Sequence, residues 1–328
     1  MTKKSQYYCL AGLAALSAAL TACGGGQSTS SAQVLDQTYM HKYGVAVPAD
    51  YWQSSGEDGA VVSTLSDGVV VTHSYAAGKL DGETQYSYPH SSQMQKSEVY
   101  QQGDLVKETE FYFDGTPKKE TKYNTPENGQ TTITTWYLSA TPRSIERYNG
   151  DLLLSGEYFS ASNQRDALVD DSQGTRLLRD DYGQLLSTDT IKDGQLLLRA
   201  TYYPSGSPRE TIPYKNGVVE GTKRTFNPAG DPNTVEEWVG GAQEGLTTVY
   251  QHGDKSAEVH YVNGEKQGLE TRYRDGKTKT QEINWSAGLQ HGQTTTFVGE
   301  VIKTEWYYKG KPTSKADYDY MSKKPVAK

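Results

Sequence analysis

Three adjacent carboxylate pairs, Asp170-Asp171, Asp180-Asp181 and Glu236-Glu237, are the side chains of this sequence best suited to acid–base chemistry. Two carboxylates flanking a sugar can hydrolyse it, yet nothing around these pairs separates them from solvated loop and strand charges. Gly276-Lys277-Thr278 matches the end of a phosphate-binding loop. That motif also needs a glycine five residues before Gly276, and Thr271 stands there, so a hairpin turn is expected instead. Six histidines (His41, His73, His90, His252, His260 and His291) are scattered without metal-ligand spacing, and His252 and His291 are expected in turns. No Gly-x-Ser-x-Gly elbow occurs. The sequence thus assigns no catalytic residue, no metal ligand and no cofactor.

The elements that carry these residues recur with a fixed period. YKNGVVEGTKRTFNPAG from Tyr214, WVGGAQEGLTTVYQHG from Trp238, YVNGEKQGLETRYRDG from Tyr261 and WSAGLQHGQTTTFVG from Trp285 share one layout. Each opens on an aromatic residue, reaches a glycine three residues later and a second glycine four beyond that. The leading glycines Gly194, Gly217, Gly241, Gly264, Gly288 and Gly310 lie 22 to 24 residues apart. The register continues backwards, less cleanly, through Gly174, Gly150, Gly129, Gly103 and Gly78, giving about ten units. Nine residues after the leading glycine stand Tyr112, Phe159, Tyr203, Phe226, Tyr250, Tyr273 and Phe297. Where that place is Ser87, Leu138 or Gly183, a tyrosine is adjacent.

Within a unit the polarity alternates with period two. Leu269, Thr271 and Tyr273 point one way, and Glu270, Arg272 and Arg274 the other. Val259 with Tyr261, and Ile283 with Trp285, likewise share a face. Dipeptides such as Asp114-Gly115, His252-Gly253 and Asp275-Gly276 supply the reversals. Each unit is therefore expected to form two antiparallel strands, neighbouring units to pair edge to edge, and equivalent aromatics to stack as ladders. The fold class expected is all-β: an elongated, single-layer, twisted antiparallel sheet of about ten β-hairpins. Composition agrees, since 25 tyrosines and 33 glycines against 5 phenylalanines suit a thin wetted sheet better than a thick core.

The aromatic row Tyr214, Trp238, Tyr261, Trp285 and Tyr307 is the candidate binding surface. It has two readings. The rings hold a thin sheet together, or part of one face anchors a protein partner or a glycan.

The first 22 residues read as processing sequence: Lys3 and Lys4, then an apolar run from Leu10 to Ala19, then small residues before a cysteine. Leu20-Thr21-Ala22-Cys23 resembles the lipobox of bacterial lipoproteins, which implies cleavage before Cys23 and diacylation of its thiol. Gly24-Gly25-Gly26 ends the apolar run short of a membrane span. Cys9 leaves with the signal and lipid consumes Cys23, so the mature chain would have no free thiol. It would carry 31 basic against 40 acidic residues, a net charge of −9, which disfavours nucleic acid as a partner.

Units such as YVNGEKQGLETRYRDGK are similar to MORN repeats, and more closely to the bacterial YwqK-type antitoxin variant. The resemblance runs from Ser74 to about Lys311, strongly from Gly194 onward and in degenerate form between Pro117 and Asp193. It implies one hairpin per repeat and a binding or scaffolding role without catalytic residues. Residues 1–22 are then a signal peptide, 23–33 an acylated cysteine and tether, 34–72 an amino-terminal cap, 73–311 the repeats and 312–328 a tail.

The function expected is a non-catalytic scaffold that binds a protein outside the cytoplasm, held at a membrane through Cys23. In a Gram-negative cell, the absence of aspartate after the cysteine implies the outer membrane, facing the periplasm. An immunity-like protein neutralising a specific exported toxin is the alternative, and binding or hydrolysis of cell-wall glycan stands third. The open strand near Tyr307 is free to pair with another chain, and the basic tail Lys323 to Lys328 is placed to cover it.

Overall fold

The structure, a computed structural model, describes residues 32–123 and 129–323. Cys23, the signal peptide, most of the tether and residues 324–328 lie outside the described residues. The described chain forms one open antiparallel sheet of 28 strands in hairpin order. Strands pair only with near neighbours in sequence, as Glu265–Tyr273 does with Asp254–Val262 on one side and Lys279–Ser286 on the other. The all-β, hairpin-repeat architecture is thus the one expected.

Two kinds of turn alternate along it, and the sequence sets both. At Asn216-Gly217 and Asn263-Gly264 both central residues have positive φ, 52° and 80° in the first case and 51° and 81° in the second. That is the two-residue turn whose twist matches a right-handed hairpin. At the opposite edge a three-residue loop closes on a glycine. The Tyr112 N–H donates to the Thr116 carbonyl (2.8 Å), and the Gly115 N–H donates back to the Tyr112 carbonyl (2.9 Å). The Asp114 Oδ1 accepts the Thr116 N–H at 2.9 Å and fixes the loop. A register shift follows at Glu110/Phe111, as a bulge of this kind requires.

The aromatic position nine residues after the leading glycine has a bonding role. The Tyr112 hydroxyl donates to the Trp136 carbonyl (3.1 Å) and the Tyr203 hydroxyl to the Phe226 carbonyl (2.8 Å), each one unit downstream. Where the tyrosine is displaced by one residue the bond persists, from Tyr88 to the Phe111 carbonyl (2.7 Å) and from Tyr137 to the Phe159 carbonyl (2.6 Å).

The one described cluster of buried apolar side chains lies where the repeat is most degenerate. Leu153, Tyr158, Val169 and Ile191 form it, with Tyr148, Ala167, Leu177 and Leu196 against them. Here the sheet curls, and contacts jump across strands: Arg143 reaches Asp181 at 2.9 Å and the Gly194 carbonyl accepts from the Leu153 N–H at 3.0 Å. Degenerate sequence thus marks a closed bend that replaces glycine and threonine with leucine, valine and isoleucine.

The two ends are built alike. At the amino end, the edge strand Val34–His41 pairs outward with Ala46–Val47, and helix Ala49–Ser54 sets the buried Trp52 against Tyr39 (5.9 Å) and Tyr75 (6.1 Å). Residues 34–72 thus contribute strands to the same sheet. At the carboxyl end, Val301–Tyr308 pairs outward with Lys311–Thr313, and helix Lys315–Lys323 follows. Ser314 caps that helix, accepting the Asp317 N–H at 3.1 Å while its hydroxyl donates to the Asp317 carboxylate at 2.7 Å. Among the described residues no helix is long and apolar enough to cross a membrane.

Candidate functional site

Strand register puts Tyr214, Trp238, Tyr261, Trp285 and Tyr307 on one face, all half-buried. Four of them stand directly across from a glycine of the preceding unit: Trp238 from Gly221, Tyr261 from Gly245, Trp285 from Gly268 and Tyr307 from Gly292. The rings do not require these glycines, since a Cβ added at any of the four would not meet the facing ring; their φ values of +76° to +107° do. Tyr214 differs, because its strand runs beside Gln195–Tyr202, where Leu198 takes the place of that glycine.

The rings do not stack on one another as expected. A glycine-bearing strand lies between successive aromatic strands, so like positions are two strands, about 9.6 Å, apart, beyond the roughly 4.5–7 Å of paired rings. Lysine takes the gap. The Lys223 ammonium lies 5.7 Å from the Trp238 ring and the Lys266 ammonium 4.7 Å from the Trp285 ring. The Trp238 Nε1–H donates to Glu236 at 2.9 Å. Two of the five rings, Trp238 and Trp285, are thus engaged within the chain, while the buried Trp285 Nε1–H has no hydrogen-bond partner among the described residues.

Beside it runs a file of carboxylates on the same face. Glu98 accepts the hydroxyls of Tyr86 (2.9 Å) and Tyr100 (3.0 Å) and pairs with Lys96 (2.7 Å). Glu146 accepts from Tyr148 (2.8 Å) and Tyr158 (2.9 Å) and takes a two-point contact from Arg176 (2.8 and 3.3 Å). Glu270 is held by Lys266 (2.8 Å) and Arg272 (2.6 Å). These acids were legible only as one half of an alternating pattern. Their burial arises because long tyrosine, lysine and arginine side chains fold over them.

Burial alone would raise the Glu270 carboxyl, but hydrogen bonds and charge from Lys266 and Arg272 outweigh it and hold the group below 4.5. Glu98 is lowered too, burial being outweighed by Lys96, Tyr86 and Tyr100. A lowered carboxyl stabilises the fold fully above its unfolded value, and the contribution is lost as pH falls through the folded value. Urea midpoints should therefore hold between pH 7 and about 5 and drop below about pH 4.5. Glu270→Gln should be less stable than wild type at pH 7, with the gap closing by pH 3. A gap that stays constant with pH would show that Glu270 contributes nothing as an anion.

A second series joins consecutive units along the edge of two-residue turns. The side chain just before each second glycine accepts the N–H of the first turn residue of the next unit. Asp58 accepts from Ala77 (2.6 Å), Asp81 from Gln102 (3.1 Å), Glu220 from Gly240 (2.7 Å) and Glu244 from Asn263 (2.8 Å). Gln267 accepts from Ala287 (2.9 Å), and His291 Nδ1 from Lys309 (3.3 Å). An acceptor residue before glycine, at these six places, was the available sequence signal.

The other chemistry candidates are engaged in structure. Asp180 Oδ1 accepts the Tyr182 and Gln184 N–H groups, and Asp181 pairs with Arg143 and Lys118. Glu237 accepts the Thr222 hydroxyl, and Asp170 accepts the Asp171 N–H. Lys277 and Thr278 donate backbone N–H groups to Asp275 in a turn between strands. His252 lies in a turn, but His291 does not: it sits in strand Leu289–Val298, because the reversal falls at Ala287-Gly288. Among the described residues no group of histidines and acids could hold a metal ion.

The opposite face carries side chains that nothing covers. Val218, Val239, Leu246, Val262, Leu269 and Leu289 are 41–57% exposed. Register interleaves them with polar residues, setting Leu246 opposite His260, Val262 opposite Glu265 and Leu269 opposite Asn284.

No protein-family model matches this sequence, and no curated protein does. A chain in the crystal structure of TcdB2-TccC3-Cdc42 aligns at 12% identity with a TM-score of 0.22, covering 76% of this chain. This chain spans 18% of that chain's length.

Proposed function

We propose that this chain is a lipid-anchored, non-catalytic scaffold of the cell envelope that binds a protein partner through the face bearing Val218, Val239, Leu246, Val262, Leu269 and Leu289. The observation that carries the reading is the uncovered aliphatic row, set against the Trp238 and Trp285 rings, each of which already meets a lysine. Apolar side chains recurring at one place in successive units give this face regularly spaced anchors for a partner, and the polar residues between them supply the rim such surfaces need. The acidic pairs are committed to turns, ion pairs and hydrogen bonds within the sheet, which supports binding over catalysis. The lipobox resemblance at Cys23 supports attachment through acyl chains, since two or more such chains hold a protein at a membrane stably.

The test is affinity capture from detergent-solubilised membranes with wild type, Cys23→Ala, a Leu246→Asp/Leu269→Asp double variant and Trp238→Phe. A specific partner should be recovered with wild type and Trp238→Phe and lost with the double variant, whose circular dichroism stays β. Cys23→Ala should leave the membrane fraction. Undiminished capture by the double variant would refute the surface, and a membrane-bound Cys23→Ala protein would refute the anchor.

A further inference from the structure

The six inter-unit acceptors differ in one chemical respect. Asp58, Asp81, Glu220, Glu244 and Gln267 can all accept a hydrogen bond throughout the neutral range. The last, His291, accepts the Lys309 N–H through Nδ1, which requires a neutral ring carrying its proton on Nε2. The same ring touches the terminal cap, 5.1 Å from the Tyr308 ring and 5.3 Å from the Tyr318 ring of helix Lys315–Lys323. Tyr318 in turn lies 5.1 Å from Trp306.

We infer that His291 is a proton-sensitive latch on the carboxyl-terminal cap, holding the Lys309-Gly310 turn and helix Lys315–Lys323 closed when neutral and loosening them when protonated. Protonation places a hydrogen on Nδ1 that faces the Lys309 N–H, turning an accepted bond into a clash of donors.

The surrounding charges do not compensate. The turn contributes Lys309, whose ammonium lies 5.7 Å from the Tyr308 ring, and the helix contributes Lys315, 5.7 Å from the Trp306 ring. On the same helix, Asp317 is engaged by Ser314. The last strand offers Tyr308, the helix Tyr318, and the neighbouring strand Lys279–Ser286 the uncharged Asn284, which donates to the Gln293 carbonyl. Among the described residues no carboxylate is within ion-pair distance of His291. The Tyr308 and Tyr318 faces attract an imidazolium, Tyr308 from the strand that stays and Tyr318 from the helix that is released, but neither restores the lost bond.

Loosening has a defined structural consequence. Strand Lys311–Thr313 covers only Trp306, Tyr307 and Tyr308 of the last full strand. Among the described residues none pairs with the outer side of Val301 to Glu305, and Val301 and Ile302 are 66% and 65% exposed. Release of the cap extends this bare edge along the whole of Val301–Tyr308, which can then accept an added strand.

Hydrogen exchange on the full chain, corrected for the intrinsic effect of pH, tests this. Protection of the Lys309 and Gly310 amides in wild type should fall at least about fivefold from pH 7.5 to 5.5, the worth of one net hydrogen bond. The Ala287 amide, held by Gln267, should not change over that interval. His291→Gln, which copies the acceptor of the preceding unit, should keep full protection at both pH values. His291→Ala should be unprotected at both. Unchanged wild-type protection at pH 5.5, or an equal fall in His291→Gln, would overturn the latch.

Discussion

Asp189→Asn should destabilise the array by about 3 kcal/mol in urea unfolding, although the substitution preserves shape and volume. Asp189 is fully buried, and Arg199 grips both its oxygens at 2.7 Å, while Arg176 stands 3.8 Å away. Removing the charge strands one guanidinium and weakens the surroundings of a second. Breaking a buried pair from one side costs about 3–5 kcal/mol. The low end applies because the arginine side chains, 28% and 30% exposed, keep some water. An Asp189→Leu/Arg199→Met double variant should lose less than Asp189→Asn, because it leaves no orphaned charge. A loss below about 1 kcal/mol in Asp189→Asn would mean that the pair acts as an ordinary surface contact.

Gly174→Ala and Gly217→Ala should differ by several-fold, although both are leading glycines of their units. Gly217 has φ of +80° with nothing near the place of an added Cβ, so alanine there meets only the left-handed backbone cost of about 1–2 kcal/mol. Gly174 has φ of +142°, and its Cβ would run into the Leu168 carbonyl oxygen. No flexible side chain can give way, since the obstacle is backbone at the curled centre of the sheet. A loss above about 4 kcal/mol is expected there, measured as a shift in urea midpoint. Equal effects at the two sites would contradict the close approach of Leu168 and Gly174.

Much of this was legible in the sequence, and for a definite reason. Hairpin position follows from local chemistry, since positive φ at Asn216-Gly217 and Asn263-Gly264 is written in residue type. Alternation then shows which residues share a face, as with Val259 and Tyr261. What alternation does not give is which face is covered. Leu246 and Leu269 belong to the exposed side, while Thr247 and Glu270 lie buried on the other. In a sheet one residue thick, burial depends on how far long neighbouring side chains reach across. Ring stacking failed for the same local reason, because the spacing between equivalent rings is set by the intervening glycine strand. The bend at Leu153 to Ile191 was visible only as loss of the pattern, since closure there depends on contacts between non-adjacent strands.

Outside the bend from Leu153 to Ile191, the backbone ladders join only near neighbours in sequence, and this has a mechanical consequence. Tension applied between the two ends of the array runs across the strands, so it loads one ladder of backbone bonds at a time rather than many in parallel. Such an array yields by peeling, one hairpin after another from a terminus. The Lys309-to-His291 bond and Tyr318 stand at the first point to give way at the carboxyl end. An array of this kind lengthens hairpin by hairpin under modest load and re-forms each step locally when the load is removed.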